Sequence, residues 1–288
     1  QLWHTLFMKH YITLEVGKES KKHYENFPVA TFLYPRKIRD AATILYQFAR
    51  TVDDIADEGI LSDNERLKKI EIYQNNLNLL KKNNSNVLPL FIDIYKVMNQ
   101  YSISTSLFQR FLDAFKQDVT KKRYKNFDEI INYTNNAAAP AGEMMLALFN
   151  KNTKENIKYS NSICHGLALI GMSQDIHEDI LKDRLYIPIS QMEKYSLNVI
   201  DIHNKKFNNN WKKFKKSWIK LIETSLSNGL PLLQNTKGRL NLQIKIMISA
   251  AKLLTKRMSD DDCNLFTQPP KLSKIDWLLL FFKCILSK

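Results

Sequence analysis

The chain has 288 residues, enough for one large domain with a substantial core or at most two small ones. Apolar residues make up 44% and charged residues 25%, while only 7 Gly and 8 Pro are present, a balance that favours helices over a sheet sandwich. The net charge of +14 comes from lysines scattered as pairs such as Lys81-Lys82, Lys121-Lys122 and Lys212-Lys213; with no nucleic-acid motif beside them, they read as solvated faces and not as a nucleic-acid surface.

In chain order, residues 1–22 are polar and irregular, a short helix and an arm. Their mixture of Trp3, His4, Lys9, His10 and Glu15 is not that of a secretory signal. Phe27 to Tyr34 is apolar and runs into Pro35, a helix break. From Ile38 to Asp57, Ala42, Leu45, Ala49, Val52 and Ala56 recur at helical spacing, and Gly59 supplies the stop. Helical patterns follow over 64–82, 89–100 and 105–121. Phe127 to Phe149 is a small-residue helix with Pro140 and Gly142 inside it, so a kink or break is expected there. Ile157 to Lys182 reads as one long helix, ended by the extended segment Arg184-Leu185-Tyr186-Ile187-Pro188. Helices over 207–233, 239–258 and 276–286 complete the set. The apolar stretch 275–286 carries Asp276 and Lys283 and is too short to span a bilayer; it is the last core helix or an interfacial foot on a membrane. Cys164, Cys263 and Cys284 are an odd number without metal-type spacing, as expected of reduced thiols in a cytoplasmic protein. No repeat or linker divides the pattern, so residues 1–288 read as one all-α domain.

Two acidic constellations carry the chemistry. In YQFARTVDDIADEG, Tyr46, Arg50, Asp53 and Asp57 stack on one face of a helix. Two carboxylates one turn apart repel, and a hard divalent cation such as Mg²⁺ relieves that repulsion. Arg50 adds a forked cation suited to phosphate. The alternative is a solvated acidic helix end with an Arg–Asp pair. In GMSQDIHEDILKDRLYIP, Asp175 and Asp179 repeat the spacing, and Lys182, Arg184 and Tyr186 follow at once. Two such pairs facing each other in a bundle make a cage for a metal-bound diphosphate.

A third segment, QDVTKKRYKNFDEIINYTNNAAAPAGEMM, offers Asp118 either to that site or to Lys121 or Lys122. Its run Ala137 to Gly142 admits a ligand or a tightly packed helix equally well. His177 points off the aspartate face and reads as a non-ligand, whereas His23, ahead of the apolar segment, is placed to touch substrate. No serine or cysteine has a triad-like sequence neighbourhood. No Gly-rich dinucleotide loop is present, so no nicotinamide cofactor is implied.

Together, HYENFPVATFLYPRKIR, YQFARTVDDIADE, AAAPAGEMM, DIHEDILKDRLYIP and PPKLSKIDW resemble the squalene/phytoene synthase family over most of the chain, most closely its bacterial hydroxysqualene-forming branch of the hopanoid pathway. The resemblance implies an all-α isoprenoid-synthase bundle with a central cavity, and a prenyl-diphosphate substrate held through Mg²⁺. It implies that Asp53, Asp57, Asp175 and Asp179 bind the metal and that Tyr46 and Arg50 contact the diphosphate. His23, Tyr24, Asn26 and Phe27 then line the substrate site, with Lys182, Arg184 and Tyr186 behind the second pair. The small residues of 137–142 suit a polyisoprenoid tail, and Phe27, Phe32, Phe48 and Tyr133 are candidate cavity aromatics. Three positions depart from the family pattern: Gly171 replaces a metal-binding Asn, Gln174 an Arg, and Ala250 a Tyr.

The reaction so implied is ionisation of presqualene diphosphate, rearrangement, and capture by water as hydroxysqualene. The alternatives are head-to-head condensation of two prenyl diphosphates, to which Glu143 and the HED of the second motif are similar, and a non-catalytic member acting in assembly. Peripheral membrane contact and association with partner enzymes of squalene formation are compatible with each.

Overall fold

The computed structural model describes residues 34–286, apart from 83 and 85. The N-terminal arm and the expected substrate contacts His23, Tyr24, Asn26 and Phe27, with Phe32, lie outside the described residues. Fourteen helices follow one another among those described: α1 Arg36–Asp57, α2 Asp63–Lys81, α3 Pro89–Tyr101, α4 Thr105–Thr120, α5 Phe127–Ala137, α6 Ala139–Leu148, α7 Lys154–Gln174, α8 Ile176–Leu181, α9 Ile189–Lys194, α10 Val199–His203, α11 Asn209–Gly229, α12 Leu232–Asn235, α13 Gly238–Ser259 and α14 Lys274–Leu286. No strand occurs among the described residues; one isolated parallel bridge joins Arg123 to Leu185.

The apolar stripe of α1 is buried as its spacing requires, with Leu45, Phe48, Ala49 and Val52 all in the core. Phe48 sits at the centre of an aromatic cluster, with ring centroids 5.1 Å from Phe108, 5.9 Å from Phe91 and 6.0 Å from Tyr73. That places it in plain core, not on a cavity wall. The end of α1 is fixed by two devices. Gly59 adopts φ +75, which reverses the chain. Arg66 of α2 then donates to the carbonyls of Ile55, Glu58, Gly59 and Leu61, capping acceptors that a helix end leaves open. Ser62 and Glu65 form a capping box that starts α2 directly after this turn.

The long pattern 127–149 is two helices. The chain breaks at Ala138, φ −121 and ψ −44, because Pro140 in the first turn of α6 lacks the amide that a continuous helix would use. The expected single helix over 157–182 is also two. It breaks at Asp175 (φ −103, ψ 4), although Asp179 N–H still donates to the Asp175 carbonyl at 2.8 Å. From Gly166 to Gln174 every residue of α7 is buried, which marks it as the central helix. It lies between α6 and α11, and its glycine lets α11 come close: a Cβ on Gly166 would stand 2.9 Å from the Leu226 side chain. Two short helices, α9 and α10, occupy residues that the periodicity leaves unassigned. One hydrophobic cluster runs from Tyr34 to Cys284.

Candidate active site

The second acidic segment ends in a Schellman turn. Asp183 takes the left-handed conformation at φ 53, Arg184 N–H donates to the Asp179 carbonyl at 2.9 Å, and Asp183 N–H to that of Ile180 at 3.0 Å. The turn folds the Arg184 side chain back over α8. From there its guanidinium meets Asp179 Oδ1 at 2.9 Å and Asp57 Oδ1 at 2.8 Å, joining the two acidic segments through one buried cation. Lys182 Nζ adds a 2.8 Å bond to the other oxygen of Asp57.

Asp53, Asp57, Asp175 and Asp179 line a single cavity with Ala56, Phe115, Asp118, Tyr133, Ala137, Met172, Arg184 and Tyr186. Arg50 reaches Asp53 at 3.5 Å and also pairs with Asp54, so its charge is shared along α1. Tyr46 faces elsewhere: it lines an apolar pocket with Leu45, Ala141, Met144, Met145 and Leu148. A larger apolar pocket shares Ala141 and Met145 and continues past Gly142, Cys164, Gln243 and Met247. The small-residue run thus does two things. Ala141 and Gly142 line pockets, and Gly142 also packs so tightly that a Cβ there would overlap Ser160 Oγ and stand 2.8 Å from Cys164 Sγ.

Asp118 belongs to the aspartate cavity and not to Lys121 or Lys122. It is buried and accepts from Tyr133 Oη at 2.9 Å and Tyr186 Oη at 2.8 Å, the two phenols lying 3.2 Å apart. This Tyr133–Asp118–Tyr186 unit is the part that sequence reasoning did not assemble. Its members are spread over 68 positions, and no local spacing connects them.

The electrostatics follow from burial against pairing. Burial pushes Asp57 up, while Arg184 and, more weakly, Lys182 pull it down, and the carboxyl is held well below the usual range. Asp175, which has no ion pair among the described residues, is pushed up to about 7 by burial and by the charge of Asp179. Burial raises Asp179 too, with Arg184 opposing. Asp118 is pushed up to about 6 by burial, despite Arg184 and its two tyrosine donors. Burial and the Asp118 charge keep Tyr133 and Tyr186 protonated.

At the departing positions, Gly171 gives only its carbonyl, to Asp175 N–H at 3.0 Å. Gln174 donates to the Pro270 carbonyl at 2.6 Å, and Ala250 is core. His165 bonds Asn135 Oδ1 at 2.9 Å, beside an Arg110–Glu143 pair of 2.7 Å.

The hydroxysqualene synthase of Rhodopseudomonas palustris is 27% identical over 240 residues, 83% of this chain and 80% of that one. That of Zymomonas mobilis is 28% identical over 249 residues with the same coverage. A phytoene synthase of Mycobacterium tuberculosis is 22% identical over 60% of this chain and 56% of its own. Among solved structures, a squalene synthase from Alicyclobacillus acidocaldarius superposes with TM-score 0.73 at 22% identity, covering 82% of this chain and 90% of that one. A dehydrosqualene synthase in complex with ligand superposes with TM-score 0.77 at 16% identity, covering 92% of each. The fold is therefore that of the isoprenoid synthases. The squalene/phytoene synthase profile matches residues 20–276, and the chain belongs to that family of prenyl-diphosphate enzymes.

Proposed function

We propose that this enzyme ionises presqualene diphosphate with Mg²⁺ and lets water capture the rearranged cation, releasing hydroxysqualene and diphosphate. The carrying observation is that both aspartate pairs line one cavity, with apolar pockets nearby. The relatives from Rhodopseudomonas and Zymomonas support the choice of reaction. The unbroken hydrophobic cluster supports reading the chain as one domain.

The donor set suits Mg²⁺. Among the described residues no three acidic, histidine or cysteine side chains converge on one ion position. Mg²⁺ is commonly held by one or two carboxylates together with water and substrate phosphate, so two opposed pairs fit it better than a closed cage would. Asp53, Asp57, Asp175 and Asp179 would hold the metal, which when bound neutralises the departing diphosphate. Arg184 and Lys182, which neutralise Asp57 here, are the cations nearest to take phosphate oxygens as well. Tyr133 and Tyr186 remain neutral donors and line the same cavity, and a carbocation beside aromatic side chains gains from ring quadrupoles. Burial excludes bulk water, so capture is limited to water admitted by the cavity.

The second reading, head-to-head condensation, is favoured by the phytoene synthase relatives and the dehydrosqualene synthase neighbour. The protein is to be incubated with Mg²⁺ and either presqualene diphosphate or farnesyl diphosphate alone, and the lipids analysed. Hydroxysqualene from the first and no turnover of the second is expected; consumption of farnesyl diphosphate alone assigns condensation instead. Unchanged activity in Asp53→Ala would remove the metal-site assignment.

A further inference from the structure

No helix among the described residues is long and apolar enough to cross a membrane, yet α14 leaves six of its ten apolar residues outside the core. Trp277, Leu280 and Cys284 are buried against the body of the protein. Ile275, Leu278, Leu279, Phe282, Ile285 and Leu286 are exposed, from 49% at Ile285 to 80% at Leu286. At 100° per residue these six fall within one stripe about 120° wide, centred opposite the buried edge. Elsewhere among the described residues the exposed large apolar side chains are single, such as Ile60, Ile72 and Leu181, or form the smaller and less exposed group Leu88, Ile92 and Tyr95 on α3 and its N-cap.

Charge decides what the stripe faces. Lys274 and Lys283 are exposed and flank the stripe, one on each side. The acidic residue of the helix, Asp276, is withdrawn into a bidentate pair with Arg257 (2.6 and 3.0 Å) and into bonds from Ser273. A second copy docked stripe to stripe would bring lysine edges together with no acidic partner on the helix. A bilayer would instead bury the stripe while the lysine stems reach anionic headgroups. We infer that α14 is an interfacial anchor that lays this enzyme on an anionic lipid surface. The inference is independent of which prenyl diphosphate is processed, and its test uses no substrate.

The full chain is floated with vesicles of phosphatidylcholine alone and of phosphatidylcholine with phosphatidylglycerol, at low and high salt. Binding to the anionic vesicles, weakened by salt, is expected. Leu279→Glu/Phe282→Glu should lower it about tenfold or more, and Lys274→Glu/Lys283→Glu should remove the preference for anionic lipid. Ile72→Glu, on α2, should bind as the parent does. Circular dichroism and melting temperature of each variant check that the fold is retained, as exposed positions allow. The inference fails if the parent floats with neither vesicle. It also fails if the stripe variants bind undiminished, or if light scattering shows a dimer that Leu279→Glu/Phe282→Glu dissolves without affecting flotation.

Discussion

Replacing Arg184 by Leu tests the electrostatic heart of the site in the metal-free protein. The side chain is buried and contacts two carboxylates, the largely enclosed Asp57 at 2.8 Å and the buried Asp179 at 2.9 Å. Breaking such a pair from one side leaves uncompensated buried charge and typically costs about 3–5 kcal/mol. For a chain of this size that corresponds to a loss of roughly 5–15 °C in melting temperature. Lost packing alone would also destabilise, so the discriminating measurement is pH dependence. In the parent, Asp57 is held below its unfolded value, so its contribution is full above the ordinary carboxylate range and fades as pH falls through the depressed folded value. In the variant Asp57 keeps only Lys182 and Asp179 loses its guanidinium, so that contribution shrinks and both carboxylates are raised; acidification then protonates them and relieves the penalty. Urea titrations of both proteins at pH 7.5 and 5, without divalent cations, should show the gap narrowing at the lower pH. Added Mg²⁺ should recover part of the gap at pH 7.5. A gap that is the same at both pH values would refute the charge argument and leave only packing.

Asp175→Asn should abolish product formation yet leave the metal-free protein at least as stable at pH 8, because the wild-type carboxyl, raised to about 7, is ionised there at a cost that fades as pH falls; matched activity assays and melting curves check both halves. Tyr133→Phe removes one of two donors to buried Asp118 and should lower stability by about 1–3 kcal/mol by urea titration. Gly142→Ala drives a methyl into Ser160 and Cys164 and should cost about 1–3 kcal/mol in the same titration, since both neighbours are held on the central helix.

The helices with one clean apolar stripe and clear stop signals were legible from the sequence: α1 ends where Asp57 precedes Gly59, and α13 departs from its expected bounds by one residue at each end. The breaks at Ala138 and Asp175 were harder to place. Proline announces a kink without fixing its position, and the turn at Asp175 has no breaker residue beneath it. Tyr46 shows the limit of a helical register. It shares a face with Asp57, but eleven residues of helix span about 16 Å, longer than one cavity, and it opens onto a different pocket. Arg184 was legible as a neighbour of the second pair. Its bond to Asp57, across 127 positions, depends on how α8 sits against the end of α1, which no local pattern encodes.

The break at Asp175 divides the second aspartate pair between two supports. Asp175 stands where the rigid central helix stops, whereas Asp179 rides on six residues of α8. The chain after α8 is stitched to the loop following α4: Leu185 N–H donates to the Lys122 carbonyl, Ile189 to that of Tyr124 and Ser190 to that of Lys125. The spacing within the pair is therefore adjustable from a distance. A change of length or stiffness in residues 121–126 is expected to shift α8 and Asp179 relative to α7 and Asp175, so the separation of these two carboxylates depends on a segment some fifty positions away in sequence.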